Sequence, residues 1–253
     1  MSFRHLDRYA GVPSPVTRLA PSARVLATVV LALAAALLPL GAWPQMAGLT
    51  LVVLGIAVAA RMPVRVLAVR LAPPLVFVLL VSAALPVLVP GTTVAHIGPL
   101  SLSDAGLLRF GSVLGRALPA LAAAVVLVST LRFTELVQAL RDLRLPRAVT
   151  TALGLAYRYL YILTDEVEQL QRAARSRNAG AGAASRRRLL MGIAAASLGR
   201  SFARSERVHQ AMLARGYRDG IPALRPQPMD RRSLSALAIV CAVALGIAWT
   251  AHL

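Results

Sequence analysis
Five apolar runs, at residues 25–43, 46–60, 71–89, 113–130 and 234–251, fix what this chain can fold into. A helix needs about 17–25 apolar residues to cross a bilayer. Four of the runs meet that length and 46–60 is short. Inside hydrocarbon every backbone N–H and C=O must find its partner within the protein, so runs of this kind fold as helices. Composition agrees: 57% of residues are hydrophobic, 15% are charged, and the mean hydropathy is +0.67. The expected fold class is an all-α membrane protein with about five transmembrane helices. The first two runs are expected to form a helical hairpin through Gly41-Ala42-Trp43-Pro44.

All 28 basic residues are arginine, and against ten acids they give a net charge of +18. In a soluble protein that balance points to nucleic acid. Here the arginines follow topology instead. Arg4, Arg8, Arg18 and Arg24 precede the first run, and Arg61, Arg65 and Arg70 lie between the second and third. Residues 131–232 hold nineteen arginines and eight acids, whereas 41–45 carry no charge and 91–112 only Asp104 and Arg109. This is the positive-inside pattern of a multi-pass membrane protein with a cytosolic N-terminus, five spans and an outside C-terminus. Nucleic acid is therefore not an expected partner; the lipid bilayer is. The first fifteen residues lack the apolar core of a cleavable signal peptide, so the first span is expected to serve as its own insertion signal.

Four regions follow: a lead-in at 1–24 broken by Pro13, Pro15 and Pro21, a four-helix membrane region at 25–130, a cytosolic helical region at 131–232, and a final span at 233–253. Pro73-Pro74, Pro86 and Pro119 should bend the third and fourth spans. In the inserted region Thr134 is expected to cap a helix that stops before Leu145-Pro146. A long helix is expected over 147–177. Its apolar start at 148–163 carries Arg158 among Tyr157, Tyr159 and Tyr161, which fits an interface or a helix bundle rather than a sixth span. Another helix is expected from about Leu189 to Arg215, with a bend near Gly199 and Gly216 as its C-cap.

Two short signatures, Ala174-Arg175-Ser176 and Ala214-Arg215-Gly216, end these last two helices forty residues apart. Val208, Ala211, Met212 and Arg215 fall at i, i+3, i+4 and i+7, hence on one face. Val167, Leu170, Gln171 and Ala174 repeat the spacing with Arg175 beside them. Each helix thus offers an apolar stripe ending in a guanidinium, the shape of a helix-in-groove ligand, with Val208, Ala211 and Met212 as candidate groove contacts. The triplets alone carry little weight. Arginine before a C′ glycine is ordinary helix-ending chemistry, and Ala203-Arg204-Ser205 is a second Ala-Arg-Ser in the same chain.

Their setting resembles the transmembrane T component of energy-coupling factor (ECF) transporters, most closely the cobalt/nickel, CbiQ-like branch. The matching stretches are Leu6-Asp7-Arg8-Tyr9-Ala10, Ser14-Pro15 and Leu19-Ala20-Pro21-Ser22-Ala23-Arg24. Further on come Leu136-Val137-Gln138-Ala139-Leu140 with Leu145-Pro146, Tyr157-Arg158-Tyr159-Leu160 and Arg172-Ala173-Ala174-Arg175-Ser176-Arg177. Ala211-Met212-Leu213-Ala214-Arg215-Gly216-Tyr217 is the most specific match. The resemblance implies that the two Ala-Arg-small motifs dock into grooves on two ABC-type ATPase subunits, and that a separate substrate-binding membrane S component, of the metal-ion type, completes the importer. The first motif departs from the family pattern, with Ser176 in place of glycine. ATP and Mg would be bound by the ATPases and no cofactor by this chain.

The remaining residues offer no catalytic set. His5, His96, His209 and His252 fall in separate regions, Cys241 is alone, and no Gly-rich phosphate loop is present. Arg116 is the one charge well inside a span. Asp165, Glu166 and Glu168 are expected on a helix surface, with Glu168 pairing to Arg172 at i+4. A conventional ABC importer permease is the alternative reading. Residues 135–146 resemble its ATPase-docking loop without the glycine, but a second signature forty residues on has no place in it. A membrane-embedded enzyme is the alternative of another class.

Overall fold
A computed structural model describes residues 14–97, 100–177, 183–218 and 229–251. Among the described residues the chain is helical but for one antiparallel strand pair. The elements are α1 (Pro21–Leu37), α2 (Trp43–Ala59), α3 (Val64–Ser82), α4 (Leu85–Leu88), β1 (Thr93–Ile97), β2 (Leu100–Ser103) and α5 (Asp104–Thr130). They continue with α6 (Phe133–Asp142), α7 (Arg147–Arg177), α8 (Ala183–Ala214) and α9 (Arg231–Thr250). Residues 1–139 with 226–253 form one compact unit and 140–225 another.

Among the described residues three helical stretches are long and apolar enough to cross a membrane: Val64–Leu88, Asp104–Thr130 and Arg231–Thr250. Helices α1 and α2 are apolar but only 17 residues long. At a rise of about 1.5 Å per residue each reaches about 26 Å, just under a typical hydrocarbon core. The all-α membrane architecture therefore comprises three full-length candidate spans and two short ones.

In the first unit α5 is the hub. Helices α1, α2, α3 and α4 each pack on it, and α9 packs on α1 and α2. The core mixes Leu31, Leu49 and Val53 with Ala34, Ala35, Ala122, Ala123 and Ala244. Lipid chains are as apolar as leucine, so membrane helices gain from close approach, which small residues allow. Gly106 marks a point where backbone meets backbone: a Cβ there would lie 2.6 Å from the Leu85 carbonyl oxygen and 2.7 Å from the Pro86 Cα. Gly106→Ala is expected to lower stability by about 1–3 kcal/mol, read as an earlier unfolding midpoint in detergent, because backbone rather than a movable side chain is in the way.

Several boundaries differ from the sequence reading, and proline accounts for two of them. Pro21 starts α1 at its first position, four residues ahead of the apolar run. Pro39 then holds Leu38 extended, with ψ 139°, so α1 ends at Leu37 instead of running to residue 43. Gly41, at φ +80°, turns the chain into α2, giving the expected hairpin connection. Pro73, Pro74 and Pro119 are accommodated inside α3 and α5, while Pro86 sits in the first turn of α4, where a missing N–H costs nothing.

In the segment after α4, β1 pairs with β2 antiparallel, His96 opposite Ser101. Its Thr93, Val94 and Ile97 are β-branched, the composition that favours strands. Ser103 then caps α5, its Oγ accepting from Gly106 N–H at 3.0 Å, so α5 begins nine residues before its apolar run. Thr134 is not the cap of α6. Glu135 reaches back to accept from Arg132 N–H at 3.3 Å, the return half of a capping box. Helix α8 starts six residues earlier than expected and runs unbroken through Gly199.

Candidate coupling site
Helix α7 spans Arg147–Arg177, and the 178–182 stretch expected to end it lies outside the described residues. Helix α8 is 32 residues long, about 48 Å at standard rise, and closes with a double hydrogen bond. Tyr217 N–H donates to the Met212 carbonyl at 3.0 Å and Gly216 N–H to that of Leu213 at 2.9 Å. This is a Schellman motif with Gly216 at C′ in the left-handed region, φ +81°. A side chain there costs about 1 kcal/mol of strain, so glycine is the favoured residue at this turn. Arg215, one residue earlier, is exposed, as are Ala214 and Gly216. Its charge sits where the helix leaves its last carbonyls, the end that favours a cation.

Met212 and Tyr217, the two residues joined by that longer hydrogen bond, also line a cleft of about 420 Å³ between α7 and α8. Thr151, Leu155, Tyr159 and Leu163 form the α7 wall; Arg204, Val208 and Met212 form the α8 wall. The stripe read from sequence therefore divides. Val208 and Met212 are half-buried toward α7, whereas Ala211 and Arg215 are exposed. His209 borders the cleft.

The first signature lies in the last turn of α7. Ser176 is exposed and its Oγ donates to the Ala173 carbonyl at 2.8 Å. The side chains of Ala174 and Arg175 lie outside the described residues. Both signatures thus end long helices, with Ser176 inside its helix and Gly216 just past its own.

Packing of α7 on α8 is organised by a residue that sequence reading left as a surface acid. Glu166 on α7 is only 15% exposed at its side chain and accepts from Arg204 at 2.8 Å while pairing with Arg200 at 3.2 Å, both on α8. The signal was present as two arginines four residues apart, which share one helix face. The expected Glu168–Arg172 pair also forms, at 3.6 Å. Glu166→Ala is expected to cost about 1–2 kcal/mol, seen as faster amide exchange along α8. The figure falls below that for buried charged hydrogen bonds because Arg200 is half exposed.

A second cross-helix clamp lies in the other unit. Arg24 on α1 donates from Nη1 to the Thr130 carbonyl at the end of α5, at 2.8 Å, and its Nη2 reaches Glu135 at 3.5 Å. One guanidinium therefore joins α1 to the corner where α5 gives way to α6.

Known proteins place this architecture. The pattern of the cobalt transport protein family CbiQ matches residues 13–225. The energy-coupling factor transporter transmembrane protein EcfT of Heliobacterium modesticaldum is 28% identical over 236 residues, covering 88% of each chain. The cobalt transport protein CbiQ of Salmonella typhimurium is 34% identical over 79 residues, 30% of this chain and 35% of that one. A family match reaching from the lead-in to α1 to beyond the end of α8, on a bundle of apolar helices with a second helical unit, leads to one conclusion: the chain belongs to the CbiQ cobalt transport protein family.

Proposed function
We propose that this chain is the energy-coupling transmembrane subunit of an ECF-type ABC importer. It has no chemistry of its own. Two ABC-type ATPase subunits bind ATP and Mg, and a separate substrate-binding membrane subunit carries the ion, cobalt or nickel. The transport family and the names of its relatives support the coarse reading. The observation that carries the finer one is the end of α8, where an exposed Arg215 precedes a glycine-locked turn that holds the helix end rigid.

A rigid helix end is what a coupling element needs. When ATP closes the paired ATPases, a groove holding Arg215 through a carboxylate moves α8 as a lever; Arg175 does the same for α7. The Glu166 pairs with Arg200 and Arg204 make the two helices move together. Arginine suits this role because its planar fork fixes orientation as well as distance.

Co-expression with ABC-type ATPases and pull-down from detergent tests the proposal. Recovery of two ATPase subunits per chain is the expected result. A chain that retains no ATPase, yet supports metal uptake when expressed alone, would overturn it.

A further inference from the structure
A second cavity, of about 310 Å³ and partly open to the bundle's surroundings, lies between α1, α2, α5 and α9. Leu31, Val53, Ala123, Ala236 and Leu237 line it, and at one end Arg24 does. Arg24 has a side chain only 6% exposed. Two of its nitrogens are engaged with Thr130 and Glu135, but its Nε is buried and has no partner among the described residues. Four exposed arginines, Arg18, Arg61, Arg231 and Arg232, lie within two positions in sequence of lining residues at that same end; the acid among them, Asp230, caps α9.

We propose that this cavity is a binding site for an anionic phospholipid, one acyl chain lying in the cavity and the phosphate at the arginine cluster. The wall is apolar apart from Arg24, Thr28, Thr130 and Ser233 at its end, so a file of water would lack the two to four polar partners each molecule needs. A partner helix, about 10 Å across, does not fit 310 Å³ for even one turn of its length. A methylene chain does. An orphan guanidinium N–H asks for an acceptor oxygen, which a lipid ester or phosphate supplies. The positive-inside pattern puts this end at the inner leaflet, where anionic lipids attract arginine clusters.

The test uses the full chain in detergent and counts bound lipid by native mass spectrometry. Its probes are phosphatidylglycerol, phosphatidylcholine with the same acyl chains, and inorganic phosphate. One phosphatidylglycerol retained per chain, bound at least tenfold more tightly than phosphatidylcholine, is the expected outcome. Ala236→Phe fills the cavity; displacing about two methylenes weakens binding about tenfold. Exposed Arg231→Gln with Arg232→Gln should bring phosphatidylglycerol down to the phosphatidylcholine level with the thermal midpoint unchanged, and it decides the matter if Ala236→Phe fails to fold. Equal retention of the two lipids, retention unaffected by a folded Ala236→Phe, or equal competition by inorganic phosphate would each overturn the proposal.

Discussion
Replacing Arg175 and Arg215 together by alanine is expected to abolish recovery of the ATPase subunits and stop uptake. Truncating one partner of a buried charge pair costs about 2–5 kcal/mol, or at least about 25-fold in affinity at each groove. Held at two points, the first docking event makes the second effectively intramolecular, so one intact arginine still keeps the ATPases in place at millimolar local concentration. Losing both removes that advantage, and the double change exceeds the sum of the singles. Arg215→Ala alone should reduce ATPase recovery and slow uptake without changing ion affinity at the substrate-binding subunit. Arg215→Lys separates charge from shape. It keeps the cation and loses the fork, so it should recover only part of the coupling. Gly216→Ala is the matching structural control: it strains the αL turn and costs about 1 kcal/mol while leaving the guanidinium in place. Normal uptake by the double variant would remove these two helix ends from the mechanism.

The architecture was legible where one local rule governs. Helix α7 starts where its sequence predicts, because Pro146 blocks the helix before it. Gly216 is equally local: a glycine after a helical stripe and an arginine is a C′ signal, and the turn forms. Length and hydropathy likewise identified the apolar helices. What stayed hidden depends on contacts across the sequence. The Glu166 clamp needs α7 and α8 side by side, and Arg24 with Glu135 needs residues 111 positions apart to meet. The stripe on α8 shows the same limit. Periodicity put Val208, Ala211, Met212 and Arg215 on one face, but only packing shows that Val208 and Met212 turn toward α7 while Ala211 and Arg215 remain exposed. The helix ends at Ala59 and Asp142 fall near where the sequence puts them, but the left-handed turns at Arg61 and Arg144 were hidden for another reason. Both occupy left-handed C′ positions, φ 54° and 64°, where glycine is the residue that sequence rules look for.

The Arg24–Glu135 pair should respond asymmetrically to mutation, and the asymmetry distinguishes a buried charge from a mere contact. Glu135 is 30% exposed at its side chain, whereas Arg24 is 6% exposed. Glu135→Gln therefore leaves a cation in the bundle without its acid and should cost about 3 kcal/mol. The glutamine oxygen can still accept from Arg132 N–H, so the start of α6 is retained. Arg24→Met removes the cation, keeps most of the volume and leaves Glu135 partly in water. It should cost about 1 kcal/mol, the loss of the Thr130 hydrogen bond being offset by a desolvation penalty no longer incurred. The double variant should stand close to Arg24→Met alone, a coupling of about 3 kcal/mol that additive effects cannot give. Denaturant unfolding of the chain in lipid nanodiscs measures all three. If Arg24→Met proves the costlier single change, the guanidinium contributes as a brace between α1 and the α5–α6 corner more than as a charge, and the pair is not what stabilises that corner.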